Sequence, residues 1–278
     1  IPARIRKALW DSRAFITEVQ VVSQEAFVPW ELMCLFDRAS AKPGEKPQFL
    51  AEWGLTRWLH NVPMSRRPID LNNGGRFHVV PDYDGDADLY LDSAQRERAL
   101  LETNLGSTPI PATAKDLRDF LTGPASKDCA LLHFACHGVA SQGAIMAADL
   151  VLRRMTKTDG SLIEEKLSWQ TIKANADFGS DRRPLVFINA CQTGRPGESI
   201  AGIAGFAAAF LRPMSGAGAA AFIGGLWSVD DQLATVFSET IYKELLGGSP
   251  LNAAVKTARK AAQANHDFTW LAYCVYGG

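Results

Sequence analysis

Two apolar segments of the chain end in residues that are capable of nucleophilic chemistry. Residues 130–135 (ALLHFA) lead, after one residue, into His137 and Gly138. Residues 184–190 (PLVFINA) lead directly into Cys191. Runs that are apolar on both faces are typical of the central strands of a parallel sheet, and ligands bind beyond the carboxyl ends of such strands. A thiol becomes a strong nucleophile when a nearby imidazole takes its proton. The pattern therefore predicts Cys191 as a nucleophile and His137 as its acid and base.

The backbone beside these two side chains is predicted to hold a reacting oxygen. Gly138 has no side chain to cover its N–H group, and the N–H of Cys191 lies at the neighbouring strand end. Two N–H groups aimed at one point form an oxyanion hole, the arrangement that stabilises the charge developing in acyl transfer. Taken alone, a cysteine after a buried strand is usually a small core residue. It is the pairing of the two strand ends that favours catalysis.

No metal or cofactor is expected. His133 and His137 are four residues apart, which on a helix would suit zinc, but this segment is predicted to be a strand and the glutamate of the metalloprotease pattern is missing. We expect His133 to be a buried, hydrogen-bonded core residue. The glycine-rich segments are not followed by Lys and Ser or Thr, so a phosphate-binding loop is not predicted.

Composition narrows the class of protein. The 278 residues include 29 basic and 30 acidic side chains, so the net charge is −1, and 47% of the residues are hydrophobic. This composition is that of a globular domain, and it excludes an overall basic field for binding nucleic acid. No apolar run approaches the roughly 20 residues that span a bilayer. The five cysteines form neither a disulfide framework nor a zinc ribbon, which favours a cytoplasmic location.

The elements that must position the dyad alternate between strands and helices. Trp10 to Val22 is predicted to be a strand-rich opening. The later chain is predicted to continue as follows: strands over 77–81, 130–135, 184–190, 219–227 and 270–276, helices over 113–121, 168–176, 200–210, 233–245 and from 250, and a hairpin near 150–160. This order predicts an α/β fold with a mostly parallel central sheet and helices on both faces. We expect a single domain over 1–278, with an N-terminal subregion of about 1–75 and a dyad-bearing core of about 76–278.

Four segments in this order resemble a CHAT domain, a relative of caspases, separases and metacaspases: 133–138, 188–194, 226–231 and 270–277. Cys191 follows His137 by 54 residues (191 − 137), close to the caspase spacing. The motif departs from the caspase signature at Asn189, where Gln is expected. The resemblance implies a caspase-like three-layer sandwich and a cysteine endopeptidase that uses a His–Cys dyad.

The resemblance also implies where a substrate would bind. In the wider group, the segment after the third central strand lines the cleft, which here brings in Trp227 as an apolar wall together with Ser228. Asp230 or Asp231 could meet a basic side chain at the cleavage position (P1), as in relatives that cleave after Arg or Lys. Equally, one of these two carboxylates could cap the following helix. Asn189 stands where metacaspase-like enzymes carry Asp, so it could line the pocket or instead fix a loop.

The resemblance implies regulation as well. Related domains are joined to TPR-type helical repeats or other regulatory regions, and they act as effectors in bacterial signalling or antiviral defence, some of them on gasdermin-like proteins. Because the chain starts at Ile1, we expect it to be a fragment with an activator region upstream. Two alternatives stay open: a CHAT-fold scaffold gated by a partner, and a thiol-dependent acyl transferase. No direct nucleic-acid or membrane partner is expected.

Overall fold

The computed structural model describes the chain except residues 1, 26–27, 65–67, 84–85, 87, 141–147, 157, 193–198, 228 and 264–266. Its helices are α1 (Ala3–Ser12), α2 (Asp92–Leu105), α3 (Ala114–Thr122), α4 (Pro124–Lys127), α5 (Trp169–Asn175), α6 (Ser199–Leu211), α7 (Asp231–Leu246), α8 (Leu251–Ala261) and α9 (Thr269–Ala272). Its strands are β1 (Val19–Ser23), β2 (Cys34–Leu35), β3 (Gln48–Phe49), β4 (Leu55–Leu59), β5 (Gly75–Val79), β6 (Thr108–Pro109), β7 (Cys129–Ala140), β8 (Ala148–Thr156), β9 (Leu162–Ser168), β10 (Leu185–Gln192), β11 (Ala221–Gly225) and β12 (Tyr273–Tyr276). Short 3-10 helices cover Trp30–Leu32 and Leu50–Trp53.

One mixed sheet organises the molecule. Its strand order is β1-β4-β12-β11-β10-β7-β5-β6. In addition, β8 pairs with the end of β7 and also with β9. The central strands β5, β7, β10 and β11 run parallel to one another, whereas β12 is antiparallel to β11 and β8 is antiparallel to β7. The N-terminal subregion adds β1 and β4 to the same sheet. The predicted mostly parallel α/β sheet is therefore confirmed.

Helices cover both faces of this sheet. One apolar cluster joins the strands to α3, α5 and α6 through Leu117, Ile172 and Phe206. A second cluster on the other face joins them to α2, α7 and α8, with Leu101 and Phe237 among its members. Strands that are buried on both faces must be apolar along their whole length, which explains why β7 and β10 were the clearest strands in the sequence.

The opening of the chain differs from its prediction. Residues 3–12 form helix α1 rather than part of a strand-rich segment, and the strand β1 begins only at Val19. Trp10 is 1% exposed and its ring meets Phe36 edge-on, with 5.3 Å between ring centroids. A single buried residue therefore anchors an otherwise exposed helix. Ile5 and Leu9 are the other large apolar residues of α1, and three such side chains in ten residues give too weak a periodicity to distinguish helix from strand.

A buried ion pair ties the N-terminal segment to the sheet. Glu31, in the 3-10 helix after Pro29, is fully buried, and Arg57 on β4 is 3% exposed. Nε of Arg57 donates to Oε1 of Glu31 at 2.9 Å, and Nη2 pairs with the other carboxylate oxygen. The charge of Glu31 raises the pKa of Arg57 against the opposing effect of burial, which keeps the guanidinium charged. The N-terminal segment is thus fixed to the sheet by charge as well as by packing.

Candidate active site

The two predicted dyad residues lie side by side at the carboxyl edge of the sheet. Strands β7 and β10 are parallel, and their register pairs His137 with Cys191 and Gly138 with Gln192. Neighbouring strands are roughly 4.8 Å apart. The backbone therefore brings the predicted base, the predicted nucleophile and both predicted oxyanion N–H groups to one place. The side chain of Cys191 lies outside the described part of the structure, and the fold fixes its position through its backbone.

The imidazole of His137 is held in one tautomer. It is 4% exposed, and its Nε2 lies 2.8 Å from the carbonyl oxygen of Leu89. Because a carbonyl can only accept, Nε2 carries the proton and donates it to Leu89. Nδ1 is buried and has no hydrogen-bond partner among the described residues. In its neutral form the ring therefore keeps a free lone pair on Nδ1. A base needs such a lone pair to accept a proton.

Tyr83 holds the backbone of His137. Its hydroxyl accepts a hydrogen bond from the His137 N–H at 2.8 Å and donates one to the Val151 carbonyl at 3.1 Å. The two rings pack at 5.4 Å between centroids. Tyr83 has a φ of +54°, a left-handed conformation that is uncommon for a bulky residue. Tyr83 is therefore a positioning residue that links β7 to β8 around the histidine.

Asn189 joins a buried polar network two residues before Cys191. Its amide donates to Glu97 of α2 at 2.8 Å, and its carbonyl oxygen accepts from the hydroxyl of Tyr273 at 3.1 Å. Ser238 of α7 also donates to Glu97, at 3.0 Å. Asn189 therefore couples the nucleophile strand to α2 directly and, through Glu97, to α7.

Glu97 is an ionised carboxylate below the sheet edge. Burial raises its pKa, but the charge and hydrogen bond of His133, together with the amide and hydroxyl donors, reverse this and lower the pKa overall. His133 is fully buried, with Nε2 3.3 Å from Glu97 and Nδ1 2.5 Å from the hydroxyl of Tyr242. The prediction of His133 as a buried, hydrogen-bonded residue is confirmed. Among the described residues, no group of His, Cys, Asp and Glu is arranged to hold a metal ion.

The residues predicted to line the substrate cleft follow β11, which flanks the nucleophile strand on the side away from His137. Trp227 is half-buried and packs against both apolar clusters. Asp230 is the N-cap of α7, and its carboxylate accepts from the N–H groups of Gln232 and Leu233, both at 3.0 Å. Ser228 and the side chain of Asp231 lie outside the described residues. Asp230 thus performs the capping role that the sequence left open.

Three partners of the site were not foreseen from the sequence: Tyr83, the Leu89 carbonyl and Glu97. A backbone carbonyl leaves no trace in the sequence, because any residue type supplies one. Tyr83 follows β5 in a polar segment, where nothing distinguishes it from an exposed turn residue. Glu97 occupies an apolar face of α2, beside Ala94 and Leu101. That exception to the helical pattern was the one signal that could have revealed it.

Within the described ranges, no helix combines the length and the apolar character that crossing a bilayer requires.

Comparison with known proteins identifies the family. The sequence matches the CHAT domain family over residues 53–277. Among curated proteins, none matches the chain significantly.

Several solved structures share the fold. The Arg-specific cysteine proteinase gingipain R is 14% identical with a TM-score of 0.56, and the alignment covers 99% of this chain and 66% of that one. The structure of the complex of the Porphyromonas gingivalis RgpB pro- and mature domains is 14% identical, with a TM-score of 0.52. The alignment covers 99% of this chain and 67% of that one. The Saccharomyces cerevisiae separase–securin complex gives 14%, a TM-score of 0.48 and coverages of 94% and 15%.

The chain thus spans about two thirds of the length of the gingipain chains and 15% of the separase chain. At 14% identity the gingipain likeness concerns the fold alone. The family match covers most of the chain, and together with the sheet order and the paired strand ends it establishes that the chain belongs to the CHAT domain family and has a caspase-like α/β fold.

Proposed function

We propose that this domain is a cysteine endopeptidase in which Cys191 attacks the peptide bond and His137 acts as acid and base. One observation carries the proposal: the β7–β10 register sets His137 beside Cys191, while Leu89 fixes the proton on Nε2 and leaves Nδ1 free. A free imidazole nitrogen beside a thiol is the arrangement that nucleophilic catalysis requires.

The proposed reaction proceeds through a thioester. Nδ1 of His137 accepts the thiol proton, and the sulfur of Cys191 forms a bond to the carbonyl carbon of the substrate. The N–H groups of Gly138 and Cys191 stabilise the oxyanion. The C–N bond then breaks as the imidazolium returns the proton to the leaving amine. In the second half, the imidazole takes a proton from water and the hydroxide attacks the thioester carbon. The C–S bond then breaks as the imidazolium returns the proton to the sulfur of Cys191, which leaves the free thiol and a carboxylic acid that ionises in water.

Two sets of residues are proposed to bind the acyl side of the substrate. Trp227 and Ser228 line the cleft. Asp230, Asp231 and Asn189 are the candidates for selecting a basic P1 residue. The Arg-specific gingipain supports a basic preference by fold likeness alone. The N-cap bonds of Asp230 leave one carboxylate oxygen for such a contact. Asn189 is engaged by Glu97 and Tyr273, so it acts on the pocket through the position of β10.

The biological setting is proposed from what the resemblance implies. We propose a cytoplasmic effector in bacterial signalling or defence, which cleaves a partner protein such as a gasdermin-like pore former and is switched on by a TPR-type or other regulatory region. In the complex of the RgpB pro- and mature domains, a protein of similar fold is bound by its pro-domain. This likeness supports control by a regulatory region and does not identify the region.

A positional-scanning peptide library tests the activity. We expect the wild-type domain to release product from a subset of peptides, and Cys191→Ala to release none. Cys34→Ala is the matched control, because Cys34 is an exposed thiol on β2, outside the site. This variant is expected to retain the wild-type rate.

Asp230→Ala and Asp231→Ala in the same library show whether either carboxylate selects the P1 residue. Equal cleavage by wild type and Cys191→Ala contradicts the proposed function.

A further inference from the structure

A carboxylate that the proposed mechanism does not use, that of Asp149, lies near His137 on the side away from Cys191. At the carboxyl edge of the sheet the strand order is β11, β10, β7 and then β8, because β8 replaces β5 as the neighbour of β7 beyond Val79. The β7–β8 ladder is antiparallel and pairs His137 with Val151 and Val139 with Asp149. Asp149 is therefore the diagonal neighbour of His137, and such neighbours lie about 7 to 8 Å apart.

Asp149 shares the face of the ladder that His137 occupies. Directly opposed residues of an antiparallel pair lie on one face, as do alternate residues of one strand. Val139 and Val151 pack with Tyr83 and Leu89, the same residues that hold the imidazole. Asp149, opposite Val139 and two residues before Val151, continues this face beyond the histidine. A group bound at His137 therefore meets Asp149 next.

The side chain of Asp149 is half-buried. Among the described residues, none donates a hydrogen bond to it and no cation lies within ion-pair distance. The nearest basic influence is Lys166 on β9, whose Nζ is bonded to Glu164 at 2.9 Å. Burial raises the pKa of Asp149, and the charge of Lys166 offsets this only in part. A partly desolvated carboxylate without a counter-charge gains from an incoming cation, because a charge-assisted hydrogen bond is among the stronger polar contacts.

The chemistry fixes which part of a substrate reaches this carboxylate. In the proposed reaction the acyl group is bonded to Cys191, and its P1 side chain is placed toward β11, where Trp227 and Asp230 follow the strand. His137 must protonate the leaving nitrogen, so the leaving segment lies on the histidine side. Continuing in that direction, the segment passes over β8. Asp149 thus faces the residues that follow the scissile bond, not the P1 residue.

We propose that Asp149 binds a lysine or arginine side chain within the first two residues after the scissile bond, so that it selects the leaving side of the substrate. The inference rests on the proposed function, and it adds a second selection that is independent of the P1 pocket. The long side chain of lysine or arginine spans the distance from the leaving segment to the ladder, and its charge complements the carboxylate.

The test varies only the leaving side of the substrate. Quenched fluorescent peptides keep the acyl-side residues that the library selects, and carry lysine, arginine, norleucine or glutamate at the first or second position after the scissile bond. For the wild type we expect kcat/KM to be about tenfold or more higher with lysine than with norleucine at one of these positions. In Asp149→Asn, the kcat/KM values for the lysine and norleucine peptides are expected to differ by less than about threefold. Asp149→Lys is expected to cleave the glutamate peptide best.

A matched control removes one charge from the same hairpin. Asp159→Asn, in the exposed turn between β8 and β9, is expected to retain the wild-type lysine-to-norleucine ratio. If Asp149→Asn keeps the wild-type ratio while cleavage still depends on Cys191, the role of Asp149 is wrong and the proposed function stands. If no peptide is cleaved in a manner that depends on Cys191, the proposed function fails, and this inference fails with it.

Discussion

Replacing His137 by glutamine is expected to lower kcat/KM for the best library peptide by about 10²- to 10⁴-fold, the usual contribution of a positioned acid and base. Glutamine still offers an amide donor to the Leu89 carbonyl, so the fold around the site is expected to survive. What it lacks is a nitrogen that can take the thiol proton and return it to the leaving amine. The measurement is peptide cleavage by wild type and variant at equal concentrations of folded protein.

His60→Gln is the matched control for this effect. His60 is exposed, and its Nδ1 shares a hydrogen bond only with Gln24 among the described residues. It is expected to keep its kcat/KM within about twofold of wild type. A His137→Gln protein with a wild-type circular dichroism spectrum and wild-type kcat/KM contradicts the assignment of His137 as acid and base.

The largest expected effect on stability belongs to the Glu31–Arg57 pair. Glu31→Gln leaves the guanidinium of Arg57 charged and buried without its carboxylate, and removing one partner of a buried pair costs about 3 to 5 kcal/mol of unfolding free energy. Urea denaturation measures this loss of stability. The urea concentration at the midpoint of unfolding is expected to fall, while the dependence of the unfolding free energy on urea concentration stays unchanged. The double variant Glu31→Leu, Arg57→Met is expected to recover much of the loss, because it removes both charges.

An exposed ion pair supplies the comparison. Lys115 and Asp119 are paired on the surface of α3 with 76% and 63% of their side chains exposed. Asp119→Asn is therefore expected to leave the urea midpoint nearly unchanged. If Glu31→Gln and Asp119→Asn shift the midpoint equally little, Glu31 does not anchor the N-terminal segment to the sheet.

The central strands and the dyad were predictable from the sequence because their signals are local. The segments around Leu132 and Val186 are apolar on both faces, and only a strand in the middle of a covered sheet needs that composition. The carboxyl ends of parallel strands share one edge, so His137 and Cys191 could be placed together before their pairing was known. The helix after Asp230 was equally visible, through its cap and its apolar periodicity.

What escaped prediction depends on contacts between residues far apart in the chain. The tautomer of His137 is set by a carbonyl 48 residues earlier, and Asn189 is held by Glu97, 92 residues away. The last apolar stretch is divided between α9 and β12, because a short helical turn precedes the strand at Tyr273. Apolarity alone cannot show where helix becomes strand within such a run.

The central claim is tested most directly by identifying which residue a substrate-like electrophile modifies. Three other thiols have raised pKa values, which disfavours the reactive thiolate: burial raises the pKa values of Cys129 and Cys274, in the second case to about 12, and burial together with the charge of Glu52 raises that of Cys34. A peptidyl acyloxymethyl ketone carrying the library's preferred residues is added near neutral pH, and the modified peptide is located by mass spectrometry. We expect one adduct, on Cys191, that forms in wild type and is lost in His137→Gln. Modification of any other residue at the same rate, or of Cys191 equally fast without His137, would contradict it.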